Sequence, residues 1–222
     1  LSKYEGEGSA TIQVSIPENI NDEASVVIEI SNKVGVLMSE TVKITSGSVE
    51  PSVVIYNDNV GTIEVDKNNW PYVDKYEGWN KTGIGSESVT YTGENASVRN
   101  SGLANTDAYA GASGPNIVFF GKTPTSFNVN KITLSSGQKN LQLTFGASRS
   151  VNNNGTYDNT FDVSKFEVAL SADGTTWAPI TYTKNNGDAD YPYWVFATAN
   201  FTLKQVPENL YIRFTALDLS LI

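Results

Sequence analysis

The sequence predicts an all-β protein built of two units, on three observations. Apolar residues alternate with polar ones at a period of two along much of the chain, and no stretch keeps the period of an amphipathic helix. Clusters of Gly, Asn, Asp and Ser separate the alternating runs at short intervals. One cluster, "SGSVEPS" at 46–52, carries a Pro and has the composition of a linker, which sets the expected units at 1–48 and 49–222.

Before the linker, "TIQVSIP" puts Ile12, Val14 and Ile16 on one face, "SVVIEIS" does so with Val26, Ile28 and Ile30, and "TVKIT" with Val42 and Ile44. Joined through "PENINDE" and "NKVGVLMSE", these read as an antiparallel meander. Three strands are few for an independent sandwich, so the unit is expected to be the trailing part of a domain that begins upstream.

After the linker come "VVIY", "TIEV", "SVTY", "NIVFF", "KITL", "LQLTF", "KFEVAL", "APITYT", "WVFATANFTL" and "LYIRFTAL". So many short segments with turns between them predict two packed sheets, a sandwich or a jelly roll. Leu141, Leu143 and Phe145 share one face, as do Leu210, Ile212 and Phe214, which leaves Tyr211 and Arg213 opposite. In "FNVNKITL" the alternation slips between Val129 and Ile132, the signature of a bulge or a break. "FEVALSADGTTWAPI" predicts a hairpin turning at Asp173 and Gly174.

Composition removes several functions. A net charge of -9 argues against a nucleic-acid partner, which needs clustered Lys and Arg. Without Cys or His there is no disulfide framework, thiol nucleophile, Ser-His dyad or ordinary zinc site. No apolar run has the length of a membrane span, so membrane insertion of this chain is not expected. The opening "LSKYEGEGSA" lacks the layout of a signal peptide, and any targeting segment is expected outside this sequence. Asp158, Asp162, Glu167, Asp188 and Asp190 supply acids, but nothing in their spacing pairs them for glycoside hydrolysis, and no enzyme is expected.

Two aromatic clusters remain. "NNWPYVDKYEGWNKTG" holds Trp70, Tyr72, Tyr76 and Trp79 among polar residues, and "DADYPYWVF" holds Tyr191, Tyr193 and Trp194. A sugar ring offers its C–H face to such rings while its hydroxyls bond to polar side chains, here Asp74, Asn80 and Arg99. The same rings would equally close the end of a sandwich. Oxygen-rich stretches, "YNDNVG" and "NNNGTYDNTFD", together with Glu64 and Asp66 around Val65, carry the ligand type of calcium, although Asn and Asp also favour turns. A structural calcium ion at Glu64 and Asp66 is the metal expectation.

Two family resemblances bear on this. Residues 8–47, through "VSIPEN", "VVIEIS" and "ETVKIT", resemble the C-terminal part of a BACON domain, an Ig-like module of Bacteroidetes often placed ahead of carbohydrate-active domains. "NWPYVDKYEGWNKTG", "ASVRNSGL", "GASGPNIVFFG", "LQLTFGASR", "FEVALSADGTTW" and "LYIRFTA" together resemble a jelly-roll module of Bacteroidetes surface and secreted lipoproteins, similar to the galactose-binding-like fold. Related modules usually finish with an acidic strand, whereas this chain ends in "LDLSLI". The resemblances imply a non-catalytic carbohydrate-binding module at the cell surface, in the periplasm or secreted, with a glycan or a surface protein as partner. The alternative is a protein-adhesion or spacer domain of a larger surface protein.

Overall fold

The computed structural model describes residues 24–32, 35–44, 53–100, 112, 114–148, 161–186 and 194–218, the first two segments by their backbone. The chain divides into two compact units, Leu1–Val53 and Val54–Ile222. In the first, β1 (Ala24–Asn32) and β2 (Gly35–Ile44) form an antiparallel hairpin with a register shift after Ile30. β2 absorbs most of the stretch expected as a connection: alternation in "VGVLMSE" is weak, and the pairing with β1 overrides it. "TIQVSIP" lies outside the described residues.

The second unit carries β3 (Asn57–Asp58), β4 (Lys81–Thr82), β5 (Thr90–Glu94), β6 (Ala96–Asn100), β7 (Asn116–Phe120), β8 (Thr125–Thr133), β9 (Asn140–Ser148), β10 (Phe166–Ser171), β11 (Ala178–Ile180), β12 (Thr183–Asn186), β13 (Trp194–Thr202) and β14 (Asn209–Ala216). Among the described residues there is no α-helix, only two short 3-10 turns. The strands form a five-stranded antiparallel sheet in the order β11-β10-β14-β8-β5, a three-stranded sheet β12-β13-β9, and the ribbons β3-β4 and β6-β7. The all-β expectation holds.

The two larger sheets share one core. Phe127, Val129, Val168, Leu170, Leu210 and Ile212 of the five-stranded sheet are buried, and Leu141, Leu143 and Phe145 of β9 pack against that cluster. In the three-stranded sheet the register sets Ala197 opposite Phe145 and Ala199 opposite Leu143. Small residues on β13 thereby make room for large ones on β9. Each fully buried aliphatic or aromatic side chain contributes about 1.5 to 3 kcal/mol, so this apolar set dominates the unit's stability.

The slip in alternation on β8 is a bulge. Ile212 pairs with Val129 but Leu210 pairs with Ile132, so β8 carries one residue more than β14, and Lys131 takes a φ of 64°. The extra residue restores phase, leaving Val129 and Ile132 both buried. Arg213, on the opposite face of β14 as expected, lies 3.9 Å over the Trp177 ring and donates from Nε to Asn128.

Other elements depart from the sequence reading. "VVIY" and "TIEV" do not form strands; the two-residue β3 lies between them. The amide of Val65, for example, donates to the Asn116 side chain and not to a neighbouring strand. "ASVRN" does form a strand, β6, entered from β5 through a single left-handed residue, Asn95, with φ 54°. "APITYT" splits: β11 joins the five-stranded sheet and β12 the three-stranded one. The crossing is anchored by Tyr182, whose hydroxyl donates to the Phe166 carbonyl at 2.6 Å.

The β10-β11 hairpin turns at Asp173 and Gly174, but over six residues and not a two-residue turn, because side chains organise it. Asp173 Oδ1 accepts from the amides of Thr175 and Thr176, both at 2.7 Å, and from the Ser171 hydroxyl. These bonds, the backbone ones first, hold the Asp173 carboxyl far below the usual carboxylate range. A depressed folded pKa gives stability that is present above the unfolded value, about 3.9, and is lost as the pH falls through the folded one. Asp173→Asn is therefore expected to flatten the acid limb of a stability–pH profile below about pH 4. An unchanged acid limb in denaturant titrations would remove this role.

Candidate functional site

The site is built on the β6-β7 ribbon. Residues 71–73 run antiparallel along β6, with Val98 N donating to Pro71 O (2.8 Å), Val73 N to Ala96 O (3.2 Å), and Tyr72 bridging Ser97. Period-two alternation then divides the side chains. Val73, Ala96 and Val98 go into the core, each at most 1% exposed. Trp70 and Tyr72 go to the other side and stay exposed, at 43% and 60%. Continuing the register sets Trp70 opposite Arg99.

Arg99 lies between two rings. Its guanidinium carbon is 4.1 Å from the centroid of Trp70 and 3.8 Å from that of Phe119, and its Nε donates to Ser97 Oγ at 3.0 Å. Partial burial lowers its pKa from the ordinary value. A Cβ at Gly121 would press on the Phe119 ring at 3.0 Å, so the glycine leaves this stack its space. The sequence-predicted pair Trp70 and Arg99 is thus brought together, with exposed Tyr72 on the neighbouring ribbon position.

Tyr76 and Trp79 are placed elsewhere. Trp79 stacks on Tyr91 with centroids 3.8 Å apart and lies 5.7 Å from Phe127, while Tyr76 meets Trp79 edge-on at 5.2 Å. Both pack against the main core cluster. The opening aromatic segment therefore does two jobs: Trp70 and Tyr72 face out, Tyr76 and Trp79 close the core. Asp74 is exposed and pairs with Lys75 at 3.0 Å, and Asn80 is exposed. Trp194 is buried at 7% exposure, and Tyr191 and Tyr193 lie outside the described residues.

A buried amide that sequence reasoning missed holds the neighbouring loop. Asn116, 3% exposed, accepts from Val65 N and donates to the carbonyls of Val60 (3.1 Å) and Ile63 (2.8 Å) and to the Tyr76 hydroxyl (3.3 Å). Val60 has a φ of 60°, an outlier for a β-branched residue. Its amide bonds to Asp58 Oδ1 at 2.6 Å, and its carbonyl also accepts from Tyr76 at 3.0 Å, so three side chains enforce the strained turn. The only sequence signal was an Asn before an apolar strand, which reads as ordinary turn chemistry.

Tyr56, Tyr91 and Asp58 form a relay beside this loop. The Tyr91 hydroxyl donates to Asp58 Oδ2, and the Tyr56 hydroxyl lies 2.5 Å from that of Tyr91. Burial, with the Asp58 carboxylate adding to it, raises both phenols well above their usual pKa, so they act as neutral hydrogen-bonding groups. The oxygens of "YNDNVG" are used on the protein itself: Asp58 as above, and Asn59 Oδ1 on the amide of Gly61.

A cavity of about 560 Å³ joins these features. Consecutive residues of β7 (116–120) and of β9 (142–148) line it, so it follows the edges of two strands and not one face of either. Tyr56, Asp58, Trp79 and Tyr91 stand at one part of the wall, Trp70 and Arg99 at another, and Trp194 also borders it. Its size suits a small-ligand site, and its walls mix aromatic and aliphatic side chains with polar ones such as Asp58, Asn59, Asn100 and Gln142. Tyr72, Asp74, Tyr76 and Asn80 do not line it.

Glu64 and Asp66 are both exposed, and Asp66 Oδ1 accepts from the amide and side chain of Asn68. Among the described residues no group of three or more carboxylates converges as a metal site would require. Comparison with protein families, with curated proteins and with solved structures finds no match to the chain.

Proposed function

We propose that the second unit is a non-catalytic glycan-binding module of a cell-surface or secreted protein, of the jelly-roll, galactose-binding-like kind that its sequence resembles. The observation that carries this reading is the exposed face formed by Trp70 and Tyr72 beside the stacked guanidinium of Arg99. Exposed aromatics on a hydrogen-bonded ribbon offer a flat apolar surface at small entropic cost, and a sugar's hydroxyls find Arg99 within the same patch. Two stacked rings at about 1 kcal/mol each and a few hydrogen bonds of about 1 kcal/mol support weak binding, in the millimolar to micromolar range after association costs.

A glycan array probed with the chain in the presence and absence of calcium tests the proposal and the calcium expectation together. Binding to a defined sugar class is expected, and Trp70→Ala is expected to abolish it at a stability loss below about 1 kcal/mol, the worth of an exposed cation–π contact. Absence of binding to every glycan by folded protein would favour the adhesion or spacer role instead.

A further inference from the structure

We propose that the patch around Arg99 selects acidic sugars, with the guanidinium receiving the carboxylate of a hexuronate while Trp70 or Tyr72 stacks on the ring that carries it. This rests on the glycan-binding reading and adds the charge and geometry of the ligand.

The Arg99 guanidinium carbon is 4.1 Å from the Trp70 centroid and 3.8 Å from that of Phe119, and Nε is committed to Ser97. A guanidinium held against two rings, with Nε used, keeps its two terminal amino groups as in-plane hydrogen-bond donors. Among the described residues no carboxylate forms an ion pair with it, although Asp and Glu outnumber Lys and Arg by 24 to 15. The charge is also partly desolvated. A cation in that condition gains most from an anion that arrives with the ligand, because the desolvation has already been borne in the free protein.

Geometry narrows the anion. Two parallel N–H donors on a rigid plane match the two oxygens of a carboxylate, and the rings that hold the plane fix the direction of approach. Trp70 and Arg99 border the cavity together, so a sugar stacked at Trp70 would bring a ring carboxylate within reach of the fork. A neutral hexose would use the stack and bond Arg99 through single hydroxyls, without the paired, charge-assisted match to the fork.

Four ligands of equal length distinguish the outcomes in isothermal titration calorimetry at low salt: an oligohexuronate, the neutral oligohexose of the same linkage, a sulfated oligosaccharide and an oligoglutamate. The oligohexuronate is expected to bind at least tenfold more tightly than the neutral sugar. Arg99→Met, which keeps an apolar filling between the rings, is expected to erase that difference, weakening the oligohexuronate at least tenfold more than the neutral sugar. Arg99→Lys keeps the charge without the planar fork and is expected to recover less than a third of the preference. Circular dichroism and thermal midpoints establish that each variant is folded, and Trp70→Ala supplies a second variant outside the core.

Equal affinity for acidic and neutral sugars would overturn the acidic preference and leave glycan binding intact. Tighter binding of the sulfated sugar, or full recovery by Arg99→Lys, would overturn the carboxylate geometry. Binding of oligoglutamate as tight as the uronate would overturn the role of the sugar ring, and failure of all four ligands would remove the glycan reading itself.

Discussion

Trp79→Ala is expected to lower the stability of the second unit by about 3 kcal/mol, the low end of the range for large aromatic truncations because the ring is only half-buried. The removed indole leaves the Tyr91 ring without its partner at 3.8 Å and opens a void beside Phe127 and Tyr76. In a domain of this size the thermal midpoint should fall by about 6 to 12 °C. The contrast with Trp70 makes the test sharp. A loss below about 1 kcal/mol at Trp79, accompanied by loss of sugar binding, would reassign that ring from core to platform.

Asn116→Leu is expected to cost about 2 to 4 kcal/mol, since it keeps the volume and removes four hydrogen bonds. The Val65 amide and the Ile63 carbonyl lose the partner that Asn116 provides. The Val60 carbonyl keeps Tyr76, which limits the loss. Hydrogen exchange should show the 60–65 segment opening far more readily than β8 or β14, whose ladder is untouched. Equal protection in the variant and the parent protein would mean that the turn is held by other contacts.

Alternation made most of the second unit legible. β7, β9, β10, β13 and β14 lie where the period-two segments put them, and the break in phase on β8 located a bulge to within its residues. What failed had a physical reason in each case. Alternation states which residues suit a strand and not whether a neighbouring edge is free to receive them, so "VVIY" and "TIEV" read as strands while in the second the Asn116 side chain serves the Val65 amide and the Ile63 carbonyl. β6 was overlooked because Asn95 turns the chain within one residue, a left-handed position that leaves no longer turn signature.

The candidate site was legible in kind and not in detail. The sequence marked Trp70, Tyr72, Tyr76 and Trp79 as one cluster, yet the ribbon pairing sends the first two outward and the chain turn after Val73 sends the other two to the core. Arg99 was named as a polar partner, but its two stacking rings come from segments 29 residues before it and 20 after it, separations that no local pattern encodes.

The bulge on β8 also fixes assembly. β8 lies between β14 and β5, and because its ladder with β5 ends at Asn130, β14 is the neighbour that must accommodate the odd residue. Sliding β14 by two residues would preserve the inward and outward faces in a regular strand, and such a slip would go unpunished by hydrophobicity alone. Here it would carry the unpaired Lys131 against a partner residue expecting a ladder bond, and would set Val129 or Ile132 out of step with the opposite sheet. The insertion is therefore an alignment mark: it gives β8 and β14, strands of similar apolar content, a single correct seating.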